Sequence, residues 1–325
     1  MKTIAFFNNK GGVGKTTLVY HITYMLANLG YKALAVDLDP QANLSSMFLS
    51  DHRLVEIYEN EYDRPTLLQS IKPLTKGTGD ITPANIERIA ENIGLIPGDL
   101  ELSVFEDKLS ASWNSCLNRD EAAFRIVSAF YRIIKEAGNR INADFNIIDV
   151  GPNFGAINRA TMIAADYIVV PMAADLFSLQ GLRNLGKSLD TWRTEWPDRA
   201  SRNPALDLDL PTGKMLPLGY VVMQHGIREK RPIQSYLAWA NKIPSVFRSS
   251  VLKEHETTSP PIEEDEYCLA LLKHYHSLIP MAMEARKPIF SLKPSDGAIG
   301  GHQGAVANAY KDFEHLTKKI ISLTY

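Results

Sequence analysis

The chain has 325 residues, with 35 Lys+Arg against 37 Asp+Glu, a formal net charge of −2 and 45 % hydrophobic residues. That is globular composition; it excludes a disordered chain and a bulk-basic nucleic-acid binder, so any DNA contact must come from a local patch. Cys116 and Cys268 form neither a CxxC pair nor a Cys/His cluster, no apolar run reaches the ~18 residues of a membrane span, and no signal peptide opens the chain, which reads as a cytoplasmic protein without structural zinc.

The first elements are the clearest. Thr3-Ile4-Ala5-Phe6-Phe7 predicts a buried strand, and it runs into turn material from Asn8 to Gly14. Leu18, Ile22, Met25, Leu26 and Leu29 then recur at helical spacing, and Gly30 stands where a helix-ending glycine belongs. Residues 33–36 predict a second strand, ending at Asp37-Leu38-Asp39-Pro40. This is a βαβ unit and implies a parallel sheet. Residues 65–71 predict a short helix, 94–98 a strand end and turn, and 119–138 a helix. Further strands are predicted at 145–149, 167–171, 218–222 and 277–279, with helices near 179–195, 232–247 and 306–321. The alternation predicts one doubly wound, mostly parallel α/β sheet flanked by helices, spanning residues 1–325 as a single domain. The stretches near 51–90, 197–215 and 251–268 read as surface insertions, the last two for their prolines and the acidic run 263–266.

Lys10-Gly11-Gly12-Val13-Gly14-Lys15-Thr16-Thr17 lies between a predicted strand and a predicted helix. A triphosphate needs a cradle of backbone N–H groups, a lysine on its β- and γ-phosphates, a hydroxyl on Mg²⁺ and the positive end of a helix. Gly12, Gly14, Lys15 and Thr16 supply these. The ordinary GxxxxGK[ST] pattern is not strictly met, because its first glycine falls at Asn9 and an extra lysine stands at position 10. Asp37 and Asp39 share one side of a strand end by the period of two, and Asp149 ends the apolar run Ile147-Ile148. Such aspartates either serve a bound Mg²⁺ or cap a following helix.

Residues 10–17 resemble the deviant Walker A motif of the ParA/MinD family of dimeric ATPases. Asp37-Leu38-Asp39-Pro40-Gln41-Ala42-Asn43 resembles its switch I motif, and Asp149 its Walker B aspartate, with Gly151 in place of the first proline of the usual DxPP. Residues 167–181 and 279–289 resemble later family segments, the second shortened. The resemblance implies an ATP-dependent dimerising P-loop ATPase with ATP and Mg²⁺ as cofactors. It implies that Lys10 reaches the phosphates of the partner copy, and that Lys15 and the backbone of Gly11, Gly12, Val13, Gly14, Thr16 and Thr17 hold the nucleotide. Asp39 would position the attacking water, and Thr16, Asp37 and Asp149 would serve the metal. Met223, Gln224 and Pro280 would face the adenine.

ParA-type members bind DNA without sequence preference. Arg228, Lys230 and Arg231 form the best basic cluster, with Arg183 and Lys187 as a looser second group; ordinary solvated helix faces look the same. The expected partners are a second copy, non-specific DNA and a ParB-like activator, in plasmid or chromosome partition or in cargo positioning, with a nucleoid-associated location in that case. The apolar stripe Val306, Ala309, Tyr310, Phe313 and Leu316 reads as a helix docked on the core rather than a membrane anchor. The chain begins at its phosphate-loop strand, so the helix-turn-helix domain of longer ParA proteins is not expected. The alternatives are a ParA-like ATPase acting on a protein partner without DNA, and a biosynthetic ligase on the same fold.

Overall fold

A computed structural model describes residues 1–60, 64–223, 237–255, 259–275 and 277–325. Its centre is one eight-stranded sheet in the order β3-β4-β2-β5-β1-β6-β7-β8. The strands are β1 (Lys2–Phe6), β2 (Ala33–Leu38), β3 (Glu87–Ala90), β4 (Ile93–Ile96), β5 (Phe145–Val150), β6 (Tyr167–Ala173), β7 (Leu216–Met223) and β8 (Cys268–Leu272). All neighbours run parallel except the edge pair β3–β4. The expected doubly wound, mostly parallel sheet is the observed one.

The inner strands are apolar on both faces because both are covered. Alternate residues serve the two sides: Ile4 and Phe6 pack with Leu18, Ile22 and Met25 of α1 (Lys15–Asn28), while Ala5 and Phe7 join the opposite core. The first core also holds α2 (Asn43–Phe48), α3 (Asp51–Tyr58) and two late helices described below. The second holds α4 (Leu67–Lys76), α5 (Val104–Ser115), α6 (Glu121–Val127), α7 (Ala129–Ile141), α8 (Ala156–Ala164) and α9 (Leu176–Ala200). The short helix α10 (Ile243–Val246) continues into a π-helical turn, Phe247–Leu252, that packs on α9. Only part of the helix expected near 232–247 falls among the described residues.

Three expectations change. Residues 277–279 do not form a strand; they open α11 (Leu278–Ala285), and the edge strand is β8. Pro280 falls in the first turn of α11, where a missing N–H costs no intrahelical bond. The apolar run of β8 follows directly on the acidic stretch that made its surroundings read as surface. The helix expected over 119–138 is two, α6 and α7, broken at Ser128, whose Oγ donates to the Phe124 carbonyl at 2.7 Å. A hydroxyl bonded back to the preceding turn bends a helix. Finally, α5 was not expected at all. The closing helix, α12 (Gly301–Thr324), docks on the core through Ala309, Phe313 and Leu316 of the expected stripe, while Val306 is half-buried and Tyr310 is exposed. Among the described residues no helix is long and apolar enough to cross a membrane.

Candidate functional site

The C-terminal ends of β1, β2 and β5 lie side by side, so the loops that leave them share one site. In open parallel sheets ligands bind outside these ends. The loop after β1 is the glycine-rich one. Gly12 and Gly14 have φ of 73° and 81°, in the left-handed region that a side chain disfavours. Gly14 is also crowded: a Cβ there would lie 3.1 Å from Met223 Cε at the end of β7. It precedes α1, whose first turn has no side-chain cap and no acidic residue. The N–H groups of that turn are therefore open to an anion. Asn8 fixes the other end of the loop, donating to the Pro171 carbonyl at 2.5 Å and accepting from Lys10 N–H at 2.9 Å. Asn9 packs so closely on Gly181 of α9 that a Cβ there would fall 2.1 Å from its Oδ1.

Lys15, Asp37, Asp39 and Asp149 are all brought together and buried. Lys15 Nζ sits 2.6 Å from Asp149 Oδ1. Burial pushes the Asp37 carboxyl up to about 7; the Asp149 charge adds to this, and bonds from Ser45 oppose it. Burial likewise raises Asp149, against the opposing pull of Lys15. Ser45 holds Asp37 from both its N–H and its Oγ, each at 2.8 Å. Asp39, buried in the turn after β2, accepts from Gln41 N–H at 3.0 Å.

Three buried carboxylates with one lysine are short of positive charge, and Asp149 Oδ2 is buried with no partner. These residues fit a divalent cation. Among the described residues no group of three His, Cys, Asp or Glu side chains could hold a metal by itself. Mg²⁺ does not need one, since it is commonly held by one or two carboxylates, water and substrate phosphates.

Lys10 lies outside this cluster. Its Nζ is 2.5 Å from Asp175 Oδ2, while Asp175 Oδ1 caps α9 by accepting from Ser178 N–H. Burial works against ionisation of Asp175, but these bonds outweigh it and hold its carboxyl below the usual range. Met223 lies against Gly14, whereas Pro280 is exposed on α11 and Gln224 is outside the described residues. Arg228, Lys230 and Arg231 also lie outside the described residues, while Arg183 and Lys187 are exposed one turn apart on α9.

Sequence reasoning missed His21. It is buried, with Nδ1 2.6 Å from the Thr17 carbonyl and Nε2 accepting from Ile289 N–H at 3.0 Å. The first contact needs a proton on Nδ1 and the second a lone pair on Nε2, so the ring is neutral. Burial lowers it to about 4. It ties the phosphate-loop helix to the segment after α11 and stacks on Phe313 at 4.8 Å. A lone histidine on a helix face gave no signal. Beside it a cleft of about 250 Å³ opens between α1, α2 and α11, lined by Thr17, Tyr20, Met47, Ile279 and Met283 among others.

Fold and site together define a P-loop nucleotide-binding protein: strand, glycine loop, lysine and hydroxyl, facing carboxylates on two neighbouring strands. The model of the AAA_31 family, described as an AAA domain, matches residues 1–201. The virulence plasmid ParA family protein pGP5-D of Chlamydia psittaci is 32 % identical over 220 residues, covering 62 % of this chain and 73 % of that protein. The sporulation initiation inhibitor protein Soj of Bacillus subtilis is 30 % identical over 186 residues, covering 57 % of this chain and 63 % of Soj. Among solved structures, protein DIP2308 from Corynebacterium diphtheriae superposes with a TM-score of 0.68 at 25 % identity, over 100 % of this chain and 99 % of that one. The chain belongs to the AAA_31 family and, within it, to the ParA/MinD group of deviant Walker A ATPases.

Proposed function

We propose that the protein binds ATP with Mg²⁺, pairs with a second copy around the nucleotides and separates after hydrolysis, in the manner of a partition ATPase. The observation that carries this is the buried cluster of Lys15, Asp37, Asp39 and Asp149 at the mouth of a glycine loop whose helix start is open to an anion. Lys15 and the N–H groups of residues 11–17 hold the phosphates. Thr16, Asp37 and Asp149 serve the cation, and Asp37 is also tied to the loop behind it through Ser45. Mg²⁺ supplies charge neutralisation at the phosphate oxygens when bound. Asp39 orients the attacking water. Lys10 leaves Asp175 to meet the partner's phosphates. Met223 borders the base side, with Gln224 and Pro280 assigned to the same role.

In this reading residues 1–325 act as one ATPase domain with peripheral insertions. DNA is bound in the ATP state through Arg228, Lys230, Arg231, Arg183 and Lys187, and a ParB-like protein stimulates turnover. The net charge of −2 gives no bulk attraction, so binding requires two patches joined in the dimer and weakens steeply with salt.

Sedimentation of Asp39→Ala with ATP and with ADP tests pairing, and binding to an unrelated duplex at low salt tests DNA. A dimer with ATP alone that binds duplex without sequence preference supports the reading. A dimer that ignores DNA at low salt removes the DNA step and leaves an ATPase that acts on a protein partner. A protein that stays monomeric with ATP contradicts the pairing.

A further inference from the structure

Resting on the ATPase reading above, we propose that Glu106 is a positioning residue for hydrolysis. It holds the start of α8, and through it the backbone between Asp149 and α8, against Asp39. α8 cannot cap itself, because Gly155 occupies its N-cap position with no side chain. The cap comes instead from α5, some fifty residues away. Glu106 Oε1 accepts from Ala156 N–H and Oε2 accepts from Ile157 N–H at 2.9 Å. The approach is so close that a Cβ on Gly155 would lie 2.4 Å from Glu106 Oε1. A carboxylate at a helix start also meets the favourable end of the helix dipole.

The loop between is pinned along its length. Asn158 Nδ2 donates to the Gly151 carbonyl at 2.7 Å and to the Asn153 carbonyl at 2.5 Å. Asn153 Oδ1 accepts from Gly155 N–H at 2.9 Å. The pinned backbone then touches the site: a Cβ on Gly151 would be 3.5 Å from Asp39 Oδ1. A shift at residue 155 is thus passed to the carboxylate assigned to the attacking water. The two helices are joined a second time where the Arg159 guanidinium of α8 lies 4.3 Å from the ring centroid of Trp113 of α5.

The same segment reaches the other carboxylate loop. Gly98 N–H donates to Ser45 Oγ at 2.9 Å, and a Cβ on Gly98 would come within 3.0 Å of Asp37 Cγ. Residues 98–106 therefore brace both acidic loops from outside the site.

The test compares wild type, Glu106→Ala and Glu106→Gln in steady-state ATP hydrolysis, with amide hydrogen exchange on each. In Glu106→Ala kcat should fall about tenfold with KM for ATP within about twofold, the pattern of a misplaced reacting group rather than lost binding. Exchange at Ala156 and Ile157 should accelerate. Glu106→Gln keeps the shape and one acceptor oxygen, so it should recover part of kcat, and it guards against a fold defect in the alanine variant. Faster exchange with unchanged kcat overturns the proposal, because the cap is then only structural. So does a rise in KM that accounts for the whole loss. Unchanged exchange refutes the cap itself. A wild type that does not hydrolyse ATP while Ala156 and Ile157 stay protected overturns both the ATPase reading and this role, and leaves the cap standing.

Discussion

The turn at residues 10–14 is set mainly by its own backbone, with Asn8 and Lys10 tied outward to Pro171 and Asp175, whereas residues 150–155 are held mainly by side chains from other elements. In the first loop the positive φ angles of Gly12 and Gly14 and the Asn8–Lys10 bond are all within a few residues of each other. In the second, Gly151 and Gly155 contribute no side chain, and Glu106 and Asn158 do the holding. A locally built loop writes its chemistry into a contiguous motif. A remotely braced loop spreads it over distant positions, and only the aspartate at its root stays readable.

The contrast can be broken where the effect is largest. Lys15→Ala removes the only buried cation beside Asp149 in the described site. It should weaken ATP binding at least ~100-fold by calorimetry, about 2.7 kcal/mol, at the upper end of what one hydrogen bond to a charged group is worth. Near-normal binding would mean that the backbone cradle suffices alone. Gly14→Ala and Gly155→Ala then sharpen the comparison. Alanine at 14 meets both a positive φ and Met223, so nucleotide affinity should drop about tenfold. Alanine at 155 displaces Glu106, so it should copy Glu106→Ala, with kcat lowered and affinity kept. If the two glycine variants lose the same parameter, the two loops are not built as described.

Asp175→Asn keeps a cap for α9, since asparagine accepts from Ser178 N–H, but it removes the ion pair that holds Lys10. The released lysine should lower the protein concentration for half-maximal ATP-dependent dimerisation by about threefold, in line with a half-exposed ion pair of ~0.5–1 kcal/mol. Sedimentation reads this directly, and an unchanged midpoint would place Lys10 outside the interface.

A further effect is one of pH. His21 is lowered to about 4 in the folded chain, below its ordinary value of 6.5. The unfolded chain therefore binds the extra proton first as pH falls. The stability that His21 contributes is fully present above pH 6.5 and is lost as pH drops toward 4. Between pH 7 and 5 wild type should lose on the order of 1–2 kcal/mol more than His21→Gln in denaturant unfolding. Parallel profiles would show that the ring is not held neutral.

Much of the sheet could be read before the structure, because β1, β2, β5, β6 and β7 are short apolar runs ending at turns or aspartates. β8 was hidden by the prolines and acids before it, and 277–279 looked like a strand until Pro280 was seen to suit the first turn of a helix. The phosphate loop was legible from its glycines, lysine and hydroxyl, while the strand ends placed Asp37, Asp39 and Asp149 but left a cation and a helix cap both open, and only the family resemblance chose between them. α5 went unread although Phe105, Leu109 and Trp113 recur every four residues, the spacing of one helix face, and all three pack inward. With α5 unseen, Glu106 had no place beside Gly155. His21 and Asp175 acquire their roles only through partners 268 and 165 positions away.

The central claim is that binding and hydrolysis are carried by different residues of one buried cluster, Lys15 for the nucleotide and Asp39 for the water. ATP affinity and single-turnover hydrolysis of Asp39→Ala, measured beside wild type, test it most directly. The account predicts affinity within about twofold and hydrolysis slowed at least ~100-fold, the size of a lost water-positioning group. Hydrolysis by Asp39→Ala at the wild-type rate would contradict it.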